Sequence, residues 1–325
     1  MKVLFLTAAL LGVTAMWANT SSANASNGQR IEVPVYSDGV PFLDLTVGSS
    51  APLSMFIDTG AGGIRIHPGN IGQGDVKHTG QRNKIMYGDG NTGIEGEIVL
   101  GKVRIGDFVL PGKTPIQAID KHVCKEGHER ACERQGSKHG GAGTIGIGTF
   151  HPTDLRKKIK KEASIFNPLI QQGPFSYILS IPRTDSEAGK LIVNPTQQEK
   201  SRFVRIRLTP GGGQRIPICI NRYCFEGILD TGTVGNNIPI ASQNDVKQLD
   251  LPTNGDNIAD GTAIPIVLGN GRNALAFQAV AGKKAARYNL KGKDNGRGLL
   301  GIDIFRYIDV LYDFDAGVIG VAPKL

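Results

Sequence analysis

Two short words in this chain carry residue types that can do hydrolytic chemistry. Phe56-Ile57-Asp58-Thr59-Gly60-Ala61 and Ile228-Leu229-Asp230-Thr231-Gly232-Thr233 stand 172 residues apart, and each ends an apolar run in Asp-Thr-Gly. One such tripeptide is ordinary turn chemistry. Two copies half a chain apart point to two carboxylates brought to one place. Carboxylates about 3 Å apart cannot both ionise and so share one proton. The ionised member can then take a proton from water while the other gives one to a carbonyl oxygen. Cleavage of a peptide bond without a metal or a covalent intermediate needs that pairing, so no metal and no cofactor are expected. Gly60 and Gly232 would let backbone amides approach the carboxylates. Thr59 and Thr231 offer small hydroxyls that can lock one loop to the other, and Thr233 offers a further hydroxyl on the second side.

The elements that must hold these words are strands. Alternating apolar residues occur at 31–36, 42–47, 64–67 and 201–208, and 53–57 is an apolar run that ends at Asp58. Segment 98–110 holds two short strands around Gly106-Asp107, and 215–230 reads as a hairpin whose tip lies between two cysteines. Forty-four glycines among 325 residues supply the turns that such a plan needs. Helical patterning is confined to 154–163 and 241–249. The second half restarts in the style of the first, with Gly-containing apolar words at 144–148 and 299–302 after each Asp-Thr-Gly. The expectation is an all-β fold of two duplicated, barrel-like lobes around a central cleft.

The start of the chain reads as a signal peptide, 1–25. Lys2 precedes an apolar run at 3–17, and Ala23-Asn24-Ala25 forms a cleavage site before Ser26. The run is short for a membrane span. A secreted or periplasmic protein is expected, without stable membrane insertion after cleavage. Four cysteines in an exported chain suggest disulfides Cys124–Cys132 and Cys219–Cys224. A zinc site at Cys124, His128 and Cys132, near His122 and His139, is the alternative for the first pair. The net charge of +8 is dispersed apart from the basic run 156–161, which reads as a solvated helix face. No aromatic interleaving or motif suggests nucleic-acid binding.

The chain resembles the bilobal pepsin-like aspartic proteases, in the manner of a bacterial exported member. The resemblance covers nearly all of the mature chain. It rests on both Asp-Thr-Gly words, on Ile85-Met86-Tyr87-Gly88-Asp89-Gly90, on 143–148, on a crossover at 175–179, on the Cys219/Cys224 loop and on the closing stretch 299–323. It implies an aspartic endopeptidase in which Asp58 and Asp230 are catalytic. It also implies a flap in which Tyr87, Gly88 and Asp89 meet substrate. The lobes would be 26–178 and 179–325, and the partner a peptide or protein substrate handled by a monomer. Three residues depart from the family pattern: Arg65 where a tryptophan is usual, Ala61 where serine is common, and Ile302 where acid-active members often have aspartate. Ala61 and Ile302 remove stabilisation of the anionic pair, so an optimum at about pH 4 to 6 is expected. The alternative is a non-catalytic protein-binding or inhibitor-like member of the same fold. A single-motif dimer is unnecessary when one chain holds both copies. A phosphate loop at 140–148 is excluded because no Lys-Ser/Thr follows the glycines.

Overall fold

The computed structural model describes residues 29–72, 74–87, 90–129, 141–148, 168–169, 176–184, 187–209, 214–290, 297–314 and 316–324. The signal segment, the basic run, the expected helix at 154–163, Gly88, Asp89 and Cys132 lie outside them.

The chain is built from strands, and each half repeats one arrangement around its aspartate. In the first half, Leu53–Asp58 runs parallel to Gly143–Ile147, which is antiparallel to Gly62–Ile66. That strand in turn runs parallel to Thr114–Cys124. In the second half, Tyr223–Leu229 runs parallel to Arg297–Leu300, antiparallel to Asn236–Asn237, and that to Tyr288–Asn289 in parallel. The duplication seen in two six-residue words is therefore a duplication of sheet topology. A run of six antiparallel strands joins the halves: Val204–Arg207, Val318–Pro323, Ile308–Asp313, Ser176–Ser180, Gly189–Val193 and Ile31–Ser37, in that order.

The patterns in the sequence explain the packing. Ile31, Val33 and Val35 alternate with exposed neighbours, so one face of their strand enters the core. Met55, Ile57, Ile64 and Ile145, by contrast, sit in strands covered on both faces. They belong to a core cluster that continues through Tyr177, Leu179 and Tyr312 to Ile218, Ile264 and Leu300. Burying one such side chain contributes about 1.5 to 3 kcal/mol. The Tyr177 and Tyr312 rings stack at 4.8 Å beneath the junction of the halves.

Two local readings need adjustment. The helix expected at 241–249 begins at Gln243 and ends at Leu249. Ser242 caps it: its hydroxyl accepts from the Asp245 amide at 3.3 Å, and the Asp245 carboxylate accepts from the Ser242 amide at 2.9 Å. A second helix, Gln197–Ser201, was not anticipated, although Thr196 and Glu199 form the same reciprocal cap. The hairpin at 215–230 is present, with Cys219 directly opposite Cys224 and joined to it. Asn221 takes the positive φ of 51° at its tip, which asparagine tolerates well. Cys124 is also disulfide-bonded, which argues against zinc there. Among the described residues no helix is long and apolar enough to cross a membrane, and no cluster of three or more metal-ligating side chains occurs.

Candidate active site

Each Asp-Thr-Gly word turns sharply at the end of its strand, and the two turns interlock. The Thr59 amide donates to Thr231 Oγ1 at 3.0 Å, and the Thr231 amide donates to Thr59 Oγ1 at 3.0 Å. Each hydroxyl then donates across to the other half: Thr59 to the Leu229 carbonyl at 2.9 Å, Thr231 to the Ile57 carbonyl at 2.6 Å. Both threonines are fully buried. A buried, satisfied network of this kind fixes geometry, because leaving any member unpaired is costly.

The lock sets the aspartates against each other. Asp58 accepts from the Gly60 amide at 2.8 Å, and Asp230 accepts from the Gly232 amide at 2.8 Å. A side chain at Gly60 would overlap the Asp230 carboxyl, since a Cβ there would lie 2.3 Å from Oδ1. A Cβ at Gly232 would lie 2.6 Å from Asp58 Oδ1. Glycine at both places is thus a condition for the approach. The approach is close enough for each carboxyl to alter the proton affinity of the other.

The surroundings of the pair are unequal. Thr233 Oγ1 donates to Asp230 Oδ2 at 2.7 Å, whereas Ala61 has no hydroxyl to offer Asp58. Both carboxyls are half-buried and crowded by protein. Loss of hydration, then the Asp230 charge, pushes Asp58 up to about 7, against the opposing pull of Arg65 and the Gly60 amide. Loss of hydration also raises Asp230, but Thr233, Gly232 and the proton of Asp58 oppose that rise. The Thr233 hydroxyl favours charge on Asp230, while the single proton belongs to the pair as a unit. Ile302 is buried in a small apolar cluster with Val40, Phe42 and Phe56, which keeps this side of the site free of a further charge.

Tyr87 follows the long hairpin strand Val76–Met86, which pairs with Thr92–Gly101. Its amide donates to the Thr92 carbonyl, and its carbonyl accepts from Gly90, both at 2.8 Å. Its side chain is 36% exposed, yet it interacts electrostatically with Asp58 and Arg65. The sequence reading missed Gln214, whose buried side-chain amide donates to the Thr59 carbonyl. It also missed Tyr312, whose hydroxyl donates to the Leu229 carbonyl at 3.4 Å. No pattern in the chain marks either, since a lone glutamine or tyrosine carries no spacing signal.

Two lobes of like topology, a shared six-stranded platform and two facing aspartate turns define the pepsin-like two-lobed fold. The structure is similar to the crystal structure of an aspartic proteinase from Irpex lacteus, with a TM-score of 0.65 over 91% of this chain and 98% of that one. Their sequences are 15% identical, so the likeness shows the shared fold. No protein-family profile and no curated protein sequence matches the chain.

Proposed function

We propose that this chain is an aspartic endopeptidase in which Asp58 and Asp230 activate one water between them. The observation that carries the reading is the interlocked pair of turns, which holds two carboxyls in contact. In the productive state Asp230 is ionised and Asp58 protonated. Asp230 takes a proton from the water as its oxygen attacks the peptide carbonyl carbon. Asp58 gives its proton to the carbonyl oxygen, forming a neutral diol. Asp230 then gives its proton to the amide nitrogen while Asp58 takes one from a diol hydroxyl, so that the carbon–nitrogen bond breaks to an acid and an amine and the pair again holds one proton. Peptide or protein is the substrate, the lobes divide near residue 178, and the chain works as an exported monomer after cleavage between Ala25 and Ser26. The Cys219–Cys224 disulfide suits an oxidising compartment. Both aspartates are intact and paired, which favours hydrolysis over a purely binding role.

The pH–rate profile tests this reading. Both carboxyls are raised above the usual carboxylate value, so the doubly protonated form persists to higher pH than for isolated groups. The second proton leaves at about pH 7. The profile of kcat/KM on a denatured protein should be bell-shaped, with a maximum at about pH 4 to 6. A maximum at or below pH 3 would contradict it.

Tyr87 is expected to close over bound peptide as a lid does. Tyr87→Ala should lower kcat/KM about tenfold or more, with a nearly unchanged melting temperature, because the ring is only partly covered and lies outside the core clusters in the free protein. Equal activity would reduce Tyr87 to an ordinary hairpin residue.

A further inference from the structure

Arg65 stands where the duplicated lobes differ in charge. In each lobe, the strand after the aspartate turn places a polar residue opposite another on a parallel strand. In the second lobe these are Asn237 and Asn289, and Asn289 Nδ2 donates to Asn237 Oδ1 at 3.2 Å. In the first lobe they are Arg65 and Gln117. A neutral amide pair on one side is therefore matched by a cation and an amide on the other.

Arg65 is deeply placed, with 7% of its surface exposed. Its Nη2 donates to the Gly62 carbonyl at 2.8 Å, which turns the guanidinium back toward the Asp58 turn. Its Nε is buried without a hydrogen-bond partner. No carboxylate among the described residues forms an ion pair with it. Burying an unpaired charge costs several kcal/mol, so a neutral residue would serve packing better. From its place on the Gly62 carbonyl, its charge acts on Asp58 and Tyr87.

We propose that Arg65 is a positioning residue acting through Asp58. Its fixed charge supplies to the first carboxylate the support that Thr233 gives the second and that Ala61 cannot give. It thereby sets the pH at which the pair surrenders its shared proton. The inference rests on the reading of Asp58 and Asp230 as one proton-sharing pair.

The other titratable groups that reach Asp58 or Arg65 are Asp230 from the facing turn, Tyr87 from the hairpin and Tyr312 from the strand Ile308–Asp313. Both tyrosines are raised by burial and stay neutral over the working range. Thr144 and Gln117, the strand neighbours of Arg65, carry no charge. Among the described residues Arg65 is the one cation in this group; burial lowers its pKa, the Asp58 and Tyr87 charges oppose that fall, and an arginine keeps its proton over the acidic working range.

The test compares Arg65→Gln and Arg65→Lys with the unaltered chain by pH profile and by carboxyl-carbon NMR titration of labelled aspartate. Asp58→Asn assigns the two signals. In Arg65→Gln the basic limb and the Asp58 titration should rise by about one unit, the acid limb by less. Arg65→Lys should stay within about 0.3 unit of the unaltered chain on the same scale. Arg65→Met replaces Arg65→Gln if that variant does not fold. A neutral variant with unshifted titrations, or a lysine variant shifted as far as the neutral one, would overturn the proposal. The NMR arm needs no turnover. A folded chain that cleaves nothing but shows the shift would uphold Arg65 and overturn only the hydrolytic reading.

Discussion

Asp58→Asn and Asp230→Asn are each expected to lower peptide hydrolysis by at least about 1,000-fold, with the fold intact. Asparagine is the same shape as aspartate, and its side-chain oxygen can still accept from the Gly60 or Gly232 amide. What it cannot do is hold or release the shared proton. Because the pair acts as one unit, the double variant should be little worse than either single one. A second readout is independent of turnover. Asp58 binds its proton up to about pH 7 in the folded chain, against 3.8 for the free group. Stability associated with that proton is fully present below about pH 4 and is lost as pH rises through 7. Asp58→Asn should therefore flatten the fall of melting temperature between pH 4 and 7. Near-native turnover in either single variant would show that the pair is not the catalytic machinery.

Thr59→Val is expected to have the next largest effect. Valine keeps the shape of threonine but removes the hydroxyl. The Leu229 carbonyl then loses a donor and the Thr231 amide loses an acceptor, both deep between the turns. Leaving the Thr231 amide unpaired, and the Leu229 carbonyl with only the longer bond from Tyr312, should cost about 2 kcal/mol. That is a large share of a total stability of roughly 5 to 15 kcal/mol. The turns would also lose their fixed separation, and a misplacement of about 1 Å can lower turnover about 100-fold. Thr231→Val should behave alike, because it breaks the symmetry-related half of the same lock. Chemical denaturation and kcat measure the two consequences. A Thr59→Val protein within about 0.5 kcal/mol of the parent would show that the lock is not what holds the turns.

The duplicated words revealed the two aspartate turns because turn chemistry and apolar runs are local properties. Alternation at 31–36 likewise exposed a strand with one buried face. The cap at Ser242 shows how little separates a correct helix from a misplaced boundary: the reciprocal bond with Asp245 starts the helix two residues after Ala241. Long-range polar contacts were not legible. Gln214 reaches a carbonyl 155 residues away, and nothing near position 214 announces that. Arg65 was visible as a departure from a family pattern, but its burial and its orientation toward Asp58 depend on how three strands come together. Ala61 and Thr233 could be read as unequal from sequence. That one lobe makes up the difference with a cation needed the register of Arg65 against Gln117.

The most direct measurement is hydrolysis of a denatured protein by the purified chain, from pH 2 to 8, with and without pepstatin. The account predicts peptide products at mildly acidic pH, their suppression by pepstatin and their absence with Asp230→Asn. A folded chain that yields no products anywhere in that range, or products that persist with pepstatin and in the Asp230→Asn variant, would contradict it.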